Sequence, residues 1–356
     1  MLESSLYNED LEYVRSLKID WSKLKNKNIL ITGATGLIGS FMIDAIMYKN
    51  KVDHMNVKIY IISRSEEKIL SRFKQYNPQK ISLSNNSNLI YIIQNVCDKI
   101  NLNIHFDFII HGASNTHPIL YSTDPVGTIT TNILGFYNIL EYATRFVPQR
   151  ILLLSTVEVY GENRGDVEYF DEDYCGYLNC NTVRAGYPES KRTCEALAQA
   201  YRSKYGLDIN IGRLSRIYGP TMQLDDSKAV AQFIKHAVNN EDIVLKSDGS
   251  QLFSFCYVAD AVAALLTILL NGEDGQSYNI ADKNSDIQLK KLAQILSSIN
   301  NKHVIFEIPK DIERKGYSNS KKALLNSTKI NNIGWNAKYD IESGVKRTVE
   351  ILRKMQ

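Results

Sequence analysis

No stretch of this 356-residue chain holds the roughly 18 consecutive uncharged apolar residues that a membrane-spanning helix needs, so no membrane partner is expected. Cysteine is scarce. Cys97, Cys175, Cys180, Cys194 and Cys256 form an odd set with no Cys-x-x-Cys pair, which argues against structural zinc and a disulfide framework and points to a reducing cytoplasm. An excess of one charge is missing too: 42 Lys and Arg against 39 Asp and Glu leave +3, too little to make nucleic acid the expected partner. With seven prolines and 19 glycines, collagenous and low-complexity readings drop out. The first 27 residues carry Glu3, Glu9, Asp10 and Glu12 among their apolar positions and read as neither a secretory signal nor an anchor. His105, His111 and His117 have no acids at metal-binding spacing, and no serine lies in a Gly-x-Ser-x-Gly elbow. Metal and serine-hydrolase chemistry are therefore not expected.

What the chain does have is a rhythm. Residues 2–26 read as a short polar helix and a lead-in strand or turn, with Leu11, Val14 and Leu17 at roughly helical spacing. From Asn28 onward, short apolar runs at 29–32, 57–62, 89–93, 106–111 and 150–155 alternate with longer amphipathic stretches, which predicts an α/β fold with a Rossmann-like, doubly wound parallel sheet. After Tyr218-Gly219-Pro220 the rhythm becomes irregular, with helices near 228–238, 258–270 and 289–299 and a strand near 243–246. The expected organisation is an N-terminal extension (1–26), a dinucleotide-binding domain that also carries the chemistry (27–218), and a smaller substrate-binding C-terminal lobe (219–356) interleaved with the last strands of the sheet.

Gly33, Gly36 and Gly39 are spaced by three, directly after the first buried strand and at the start of a helix. The first glycine allows the tight turn, the second lets backbone amides approach a pyrophosphate, and the third lets helix and strand pack closely. Thr35, Leu37 and Ile38 complete this loop. At the end of the second strand the chain reads Ser63-Arg64-Ser65 with no acid before Glu66. An acid there would grip the ribose hydroxyls of NAD, and an arginine accommodates a 2′-phosphate, so NADP is preferred over NAD. Arg64 stacking on adenine would serve either cofactor. Asn95-Val96 after the third long strand is placed to meet the adenine edge.

Tyr187 and Lys191 are four residues apart at the start of an amphipathic segment, on one helix face. An ammonium beside a phenol stabilises the phenolate, which would let Tyr187 act as a base near neutral pH. Ser155-Thr156-Val157-Glu158-Val159-Tyr160-Gly161 follows a buried strand and so falls at the carboxyl edge of the sheet, where such folds bind ligands. Thr156 would hydrogen-bond a reacting hydroxyl, and Glu158 is a second proton-transfer group.

With these residues in view, 27–356 resembles the extended short-chain dehydrogenase/reductase superfamily. The resemblance rests on the glycine loop, on His111-Gly112-Ala113-Ser114, Asn132, the segment from Ser155 to Gly161, Tyr187 with Lys191, and Arg213 with Tyr218-Gly219-Pro220. It implies a nucleotide-diphosphate sugar whose carbon 4 is transiently oxidised by the bound nicotinamide, with Gly112, Ala113, Ser114 and Asn132 joining the cofactor-binding residues. Within it, the stretch from Asp173 to Arg192 looks most like UDP-glucuronate decarboxylases, and next like dTDP-glucose 4,6-dehydratases, whose motif has an acid at the place of Val157. 4-Epimerisation shares the oxidised intermediate and stays open. So does a non-catalytic dinucleotide-binding sensor or scaffold, although keeping both Tyr187 and Lys191 favours an enzyme. Three positions depart from the pattern: Arg64; Arg216, where an asparagine is usual; and Phe253, where a diphosphate-binding arginine is usual. Arg216 and Phe253 are expected at the substrate, with Arg216 reaching a diphosphate or an acidic sugar. Helices near 126–146 and 188–205 carry apolar residues on more than one face, and the resemblance implies a homodimer formed through them as a four-helix bundle.

Overall fold

In a computed structural model of the protein, residues 1–83, 87–116, 118–307 and 320–355 are described. His117 lies outside them. The runs rich in Ile, Leu and Val form the centre of an eight-stranded sheet in which every pairing is parallel. Its strands are β1 (Asn28–Thr32), β2 (Lys58–Ser63), β3 (Gln79–Lys80), β4 (Leu89–Ile93), β5 (Phe108–His111), β6 (Arg150–Thr156), β7 (Ile209–Leu214) and β11 (Ser277–Ile280), in the spatial order β11-β7-β6-β5-β1-β2-β4-β3. The run expected at 106–111 starts its ladder only at Phe108. Asp107 ahead of it is diverted to accept from the Asn28 amide (2.9 Å) and Lys27 (2.9 Å).

From β1 the chain proceeds to β2 on one side and later to β5 on the other. The carboxyl ends of β1 and β5 therefore flank the point where strand order reverses, the place where open α/β sheets bind ligands. Helices α2 (Leu37–Asp53), α3 (Glu66–Phe73), α5 (Pro125–Arg145) and α6 (Gly186–Tyr205) are the crossovers, with the short α4 (Pro118–Thr123) before α5. Local chemistry sets their ends. Asp124 caps α5 by accepting from the Gly127 amide (3.0 Å) with Pro125 in the first turn, and Gly206 ends α6 in the left-handed region at φ 68°.

Beyond β7 the chain builds a smaller sheet from β8 (Arg216–Tyr218), β10 (Leu252–Tyr257), β12 (Asp282–Gln288) and β14 (Lys322–Ala323), and a parallel pair from β9 (Ile243–Leu245) and β13 (Val304–Phe306). α7 (Ala229–Val238), α9 (Leu289–Ser298), the short α10 (Thr328–Asn331) and α11 (Ile341–Arg353) accompany them. α8 (Val258–Asn271), buried from Val258 to Leu270, packs against β6 and β7 as well as α2. Its apolar residues share one continuous core with those of α2 and α11.

The N-terminal helix α1 (Ser5–Arg15), read as a short polar helix with a few apolar positions at helical spacing, is built into this core. Tyr7, Leu11 and Val14 are fully buried. The Tyr7 hydroxyl donates to Asp44 of α2 (2.5 Å), Tyr13 donates to Asp260 of α8 (2.8 Å), and buried Asp10 accepts from Tyr257 (2.6 Å) and Arg347 of α11 (2.8 Å). Partners 37 to 337 residues away give such polar positions no local signature.

Candidate active site

The glycine loop is shaped by close backbone approach. Gly33 has φ +74°, and a Cβ on it would lie 2.5 Å from the carbonyl carbon and oxygen of Gly112 and 2.8 Å from the Ala113 nitrogen. A Cβ on Gly39 would fall 2.4 Å from the Gly33 oxygen, so the first turn of α2 is pressed onto the loop. At Gly36 the nearest atom is 3.4 Å away. There the backbone is open, and Gly36 caps a helix whose first amides, at Leu37, Ile38 and Gly39, lack intrahelical partners and point their partial positive charge outward. Thr35 through Gly39 are half-buried. This cradle fits a dinucleotide pyrophosphate.

Around it, Thr32 and His111 lock β1 to β5. Thr32 Oγ1 accepts from the Gly112 and Ala113 amides (3.3 and 3.2 Å), so its own proton goes to His111 Nδ1 (2.9 Å) and the imidazole is neutral. Burial and nearby Lys191 hold His111 down to about 3. His105 meets the Val147 carbonyl (3.1 Å). Ser114 Oγ is buried without a partner among the described residues. Ser63 is half-buried at the end of β2 and Arg64 is exposed. Glu66 is engaged elsewhere, accepting from Tyr91 (2.8 Å). Asn95 is exposed and closes a turn by accepting from the Cys97 amide (3.1 Å), whereas Val96 is buried against α5, its carbonyl accepting from Asn138 (3.1 Å).

Pairing of Leu153 with His111 leaves β6 longer than β5, so Thr156, still paired with Leu214 of β7, extends past β5 and starts the single 3₁₀ turn Val157–Tyr160. Thr156 Oγ1 accepts from the Glu158 amide (3.3 Å). Behind the turn, Ser155 donates to Glu195 (2.5 Å), Arg213 pairs with Glu195 (2.7 Å) and donates to the Tyr160 hydroxyl (2.9 Å), and Arg192 donates to the Val159 and Gly176 carbonyls (2.7 Å each). These contacts fix the turn from three directions.

Tyr187 at the start of α6 is buried and hydrogen-bonded to Thr156 and to Tyr121 of α4, whose ring stacks on it with centroids 4.7 Å apart. Burial raises its phenol well above the ordinary value and the Glu158 charge adds to this; the bonds to Thr156 and Tyr121 and the Arg184 charge pull the other way. The expected lowering by Lys191 is therefore corrected. The Lys191 ammonium is itself buried, is pushed down by burial, and donates to the Leu154 carbonyl (2.9 Å). A spacing of four residues settles which helix face two side chains share and not where a long lysine ends. Asn132 holds the start of α6 from α5, donating to Ser190 (2.8 Å), which donates to the Tyr187 carbonyl (2.8 Å); the Asn132 side-chain oxygen is buried without a partner among the described residues.

Two participants carry no signal of their own in the sequence. Arg184 approaches both Glu158 oxygens at 2.7 Å and lies over the Tyr121 ring at 4.6 Å. Its position just ahead of the helix that bears Tyr187 was the only hint. Tyr121 was missed altogether. The two departures Arg216 and Phe253 meet, the guanidinium lying 3.3 Å from the centroid of the buried Phe253 ring. Burial, with Arg184 nearby, lowers the Arg216 guanidinium to about 10, although Glu158 favours its charge. Among the described residues no cluster of His, Cys, Asp and Glu is arranged to hold a metal ion, and no helix is long and apolar enough to cross a membrane.

Residues 29–281 match the profile of the NAD-dependent epimerase/dehydratase family. UDP-glucuronic acid decarboxylase 3 of Arabidopsis thaliana is 32% identical over 333 residues, spanning 92% of this chain and 90% of that protein. Among solved structures, the UDP-glucose 4-epimerase of Thermotoga maritima superposes with a TM-score of 0.76 at 23% identity over 92% of this chain and 99% of that one. The UDP-glucuronic acid 4-epimerase of Bacillus cereus, in complex with UDP-glucuronic acid and NAD, gives 0.76 at 20% identity over 92% and 100%.

Proposed function

The chain belongs to the NAD-dependent epimerase/dehydratase family, and from that premise we propose that it modifies a nucleotide-diphosphate sugar through transient oxidation at carbon 4, as a decarboxylase of the UDP-glucuronate type. One observation carries this reading. Thr156, Tyr187 and Glu158 converge past the carboxyl end of β6, on the same sheet edge as the open glycine cradle.

Gly33 to Gly39 would hold the pyrophosphate, Asn95 the adenine edge, and Gly112 to Ser114 with Tyr187 and Lys191 the nicotinamide side, where the unpaired Ser114 hydroxyl supports the assignment. When bound, the nicotinamide supplies a reversible hydride acceptor. Tyr187 takes the proton of the sugar 4-hydroxyl and later returns it, with Thr156 aligning that hydroxyl. A 4-keto sugar with a carboxylate on carbon 5 loses carbon dioxide by moving the bond's electron pair into an enolate, and carbon 5 then needs one proton. Solvent supplies it, relayed by a water that hydrogen-bonds to Glu158, which Arg184 holds in place. Elimination of water in the 4,6-dehydratase manner needs an acid as well as a base; Val157 is buried and apolar, which leaves Glu158 to serve as both, so decarboxylation fits better than dehydration.

NADP is the cofactor this reading prefers, supported by exposed Arg64 and by Glu66 being turned to Tyr91. Apoprotein should bind NADP more tightly than NAD, and Arg64→Ala should weaken NADP binding alone; tighter NAD binding in wild type removes the preference. Residues 219–356 mainly supply the nucleotide-sugar lobe, and 1–26 tether the two parts. A homodimer through α5 and α6 is supported by exposed Leu134, Tyr137 and Tyr205, and cytoplasmic placement by five unpaired cysteines, two of them exposed. To test the reaction, purified protein is incubated with UDP-glucuronate, UDP-glucose, dTDP-glucose, GDP-mannose and CDP-glucose and the products are weighed by mass spectrometry. Loss of carbon dioxide from UDP-glucuronate is expected. Loss of water from a neutral nucleotide hexose, with UDP-glucuronate untouched, replaces decarboxylation with dehydration.

A further inference from the structure

Among the described residues, one guanidinium at the edge of the site keeps an unpartnered nitrogen. Arg184 engages both oxygens of Glu158 at 2.7 Å, and the Glu158 charge also acts on Arg216. The unpartnered nitrogen belongs to Arg216. It sits on β8, reached one residue after β7 ends at Leu214, and Leu214 pairs with Thr156. Parallel pairing places Arg216 opposite Phe255 of β10, so it shares a face with Phe253, two residues earlier, and lays its guanidinium flat on that ring at 3.3 Å. A guanidinium stacked this way is held by its π-face while the N–H groups in its plane stay available. One of these nitrogens, NH1, is buried and has no hydrogen-bond partner among the described residues.

In this half-buried guanidinium, NH1 is shut away from solvent with no hydrogen-bond partner among the described residues, a cost that an anionic ligand would remove. We propose that Arg216, seated on Phe253, is a receptor for an oxyanion of the substrate, either the carboxylate of an acidic sugar or a phosphate of the diphosphate. The inference rests on the nucleotide-sugar reading above and deepens it, making Arg216 the group that selects an anionic ligand. A carboxylate and a phosphate oxygen present the same chemistry to a guanidinium edge, so the two sources are separated by experiment. Phe253 acts through Arg216 as a positioning residue.

The test compares wild type with Arg216→Met, which keeps the stem on the ring and removes the fork, and with Arg216→Lys should the first variant not fold. Cofactor-loaded protein is titrated calorimetrically with UDP-glucuronate, UDP-glucose and UDP, and thermal melts are recorded without ligand and with millimolar glucuronate or inorganic pyrophosphate. Receptor function predicts a roughly ten- to hundred-fold loss of affinity in the variant. The loss is confined to UDP-glucuronate if the carboxylate is bound, and is shared by all three probes if the diphosphate is. Ligand-free Arg216→Met should melt at or above the wild-type temperature, because a buried donor without a partner is gone. Affinities for every probe within twofold of wild type overturn the proposal, as does a fall in the ligand-free melting temperature with unchanged binding, which makes the guanidinium a clamp between β8 and β10. If wild type binds none of the uridine compounds while glucuronate or pyrophosphate stabilises it in an Arg216-dependent way, the receptor stands and the nucleotide-sugar reading falls.

Discussion

At the scale of single residues, the chemistry depends on a phenol in an unhelpful environment. Burial and the Glu158 charge both oppose ionisation of Tyr187, and the ammonium that would help is tied to the Leu154 carbonyl. Hydrogen bonding with Thr156 and Tyr121 compensates in part. Tyr187→Phe deletes the proton acceptor while leaving the ring stacked on Tyr121, so turnover should fall about a hundred- to ten-thousand-fold with little change in the melting curve. Turnover and melting measured on one preparation check this, and retained turnover removes Tyr187 from the mechanism. Lys191 was legible as a neighbour on the helix face, but its contact was not, since four flexible methylenes separate its charge from the backbone.

At the scale of elements, the turn from β1 to α2 separates two uses of glycine that look alike in sequence. Gly33 is required by the fold, because a side chain would meet the Gly112 backbone at 2.5 Å in a left-handed conformation. Gly36, at φ −78°, has room for a Cβ, whose nearest atom would be the Gly33 oxygen at 3.4 Å. Gly33→Ala should therefore lower stability by at least about 2–4 kcal/mol or prevent soluble expression. Gly36→Ala should cost well under about 1 kcal/mol as a cap change, yet weaken dinucleotide binding tenfold or more by placing a methyl where the pyrophosphate approaches. Urea unfolding and dinucleotide titration of both variants separate the two roles; equal stability losses would refute the distinction. The two-residue β3 escaped the sequence pattern, being too short for any period.

For the whole molecule, stability should depend on pH through groups the core has sealed in. His111 is neutral in the folded chain, held down to about 3, against about 6.5 when unfolded. Between these values only the unfolded chain takes the proton, so stability falls as pH drops below 6.5, by about 2 kcal/mol at pH 5. Asp260 works the other way: burial raises it to about 6, the folded chain keeps that proton, and its contribution grows as pH falls through 6. Comparing urea unfolding at pH 7 and pH 5 in wild type and His111→Gln isolates the histidine, and wild type should lose about 2 kcal/mol more than the variant. An equal loss in both would assign the acid sensitivity elsewhere. Should α5 and α6 pair between two copies, Leu134→Glu with Tyr137→Glu will shift the protein from dimer to monomer in sedimentation, without loss of fold by circular dichroism.

The sequence by itself determined the parallel α/β architecture, the glycine cradle, and the residues that gather past β6, because each is written over a few consecutive positions: an apolar run, a spacing of three, a spacing of four. Only the tertiary structure decided how those residues are charged and partnered. Arg184 on Glu158, Tyr121 under Tyr187, Arg216 on Phe253 and Asp10 beneath Arg347 are contacts between elements distant in the chain. Local periodicity records which face of an element is buried, whereas an ion pair or ring contact depends on which other element that face is pressed against. The packing of strand, loop and helix in three dimensions makes that choice.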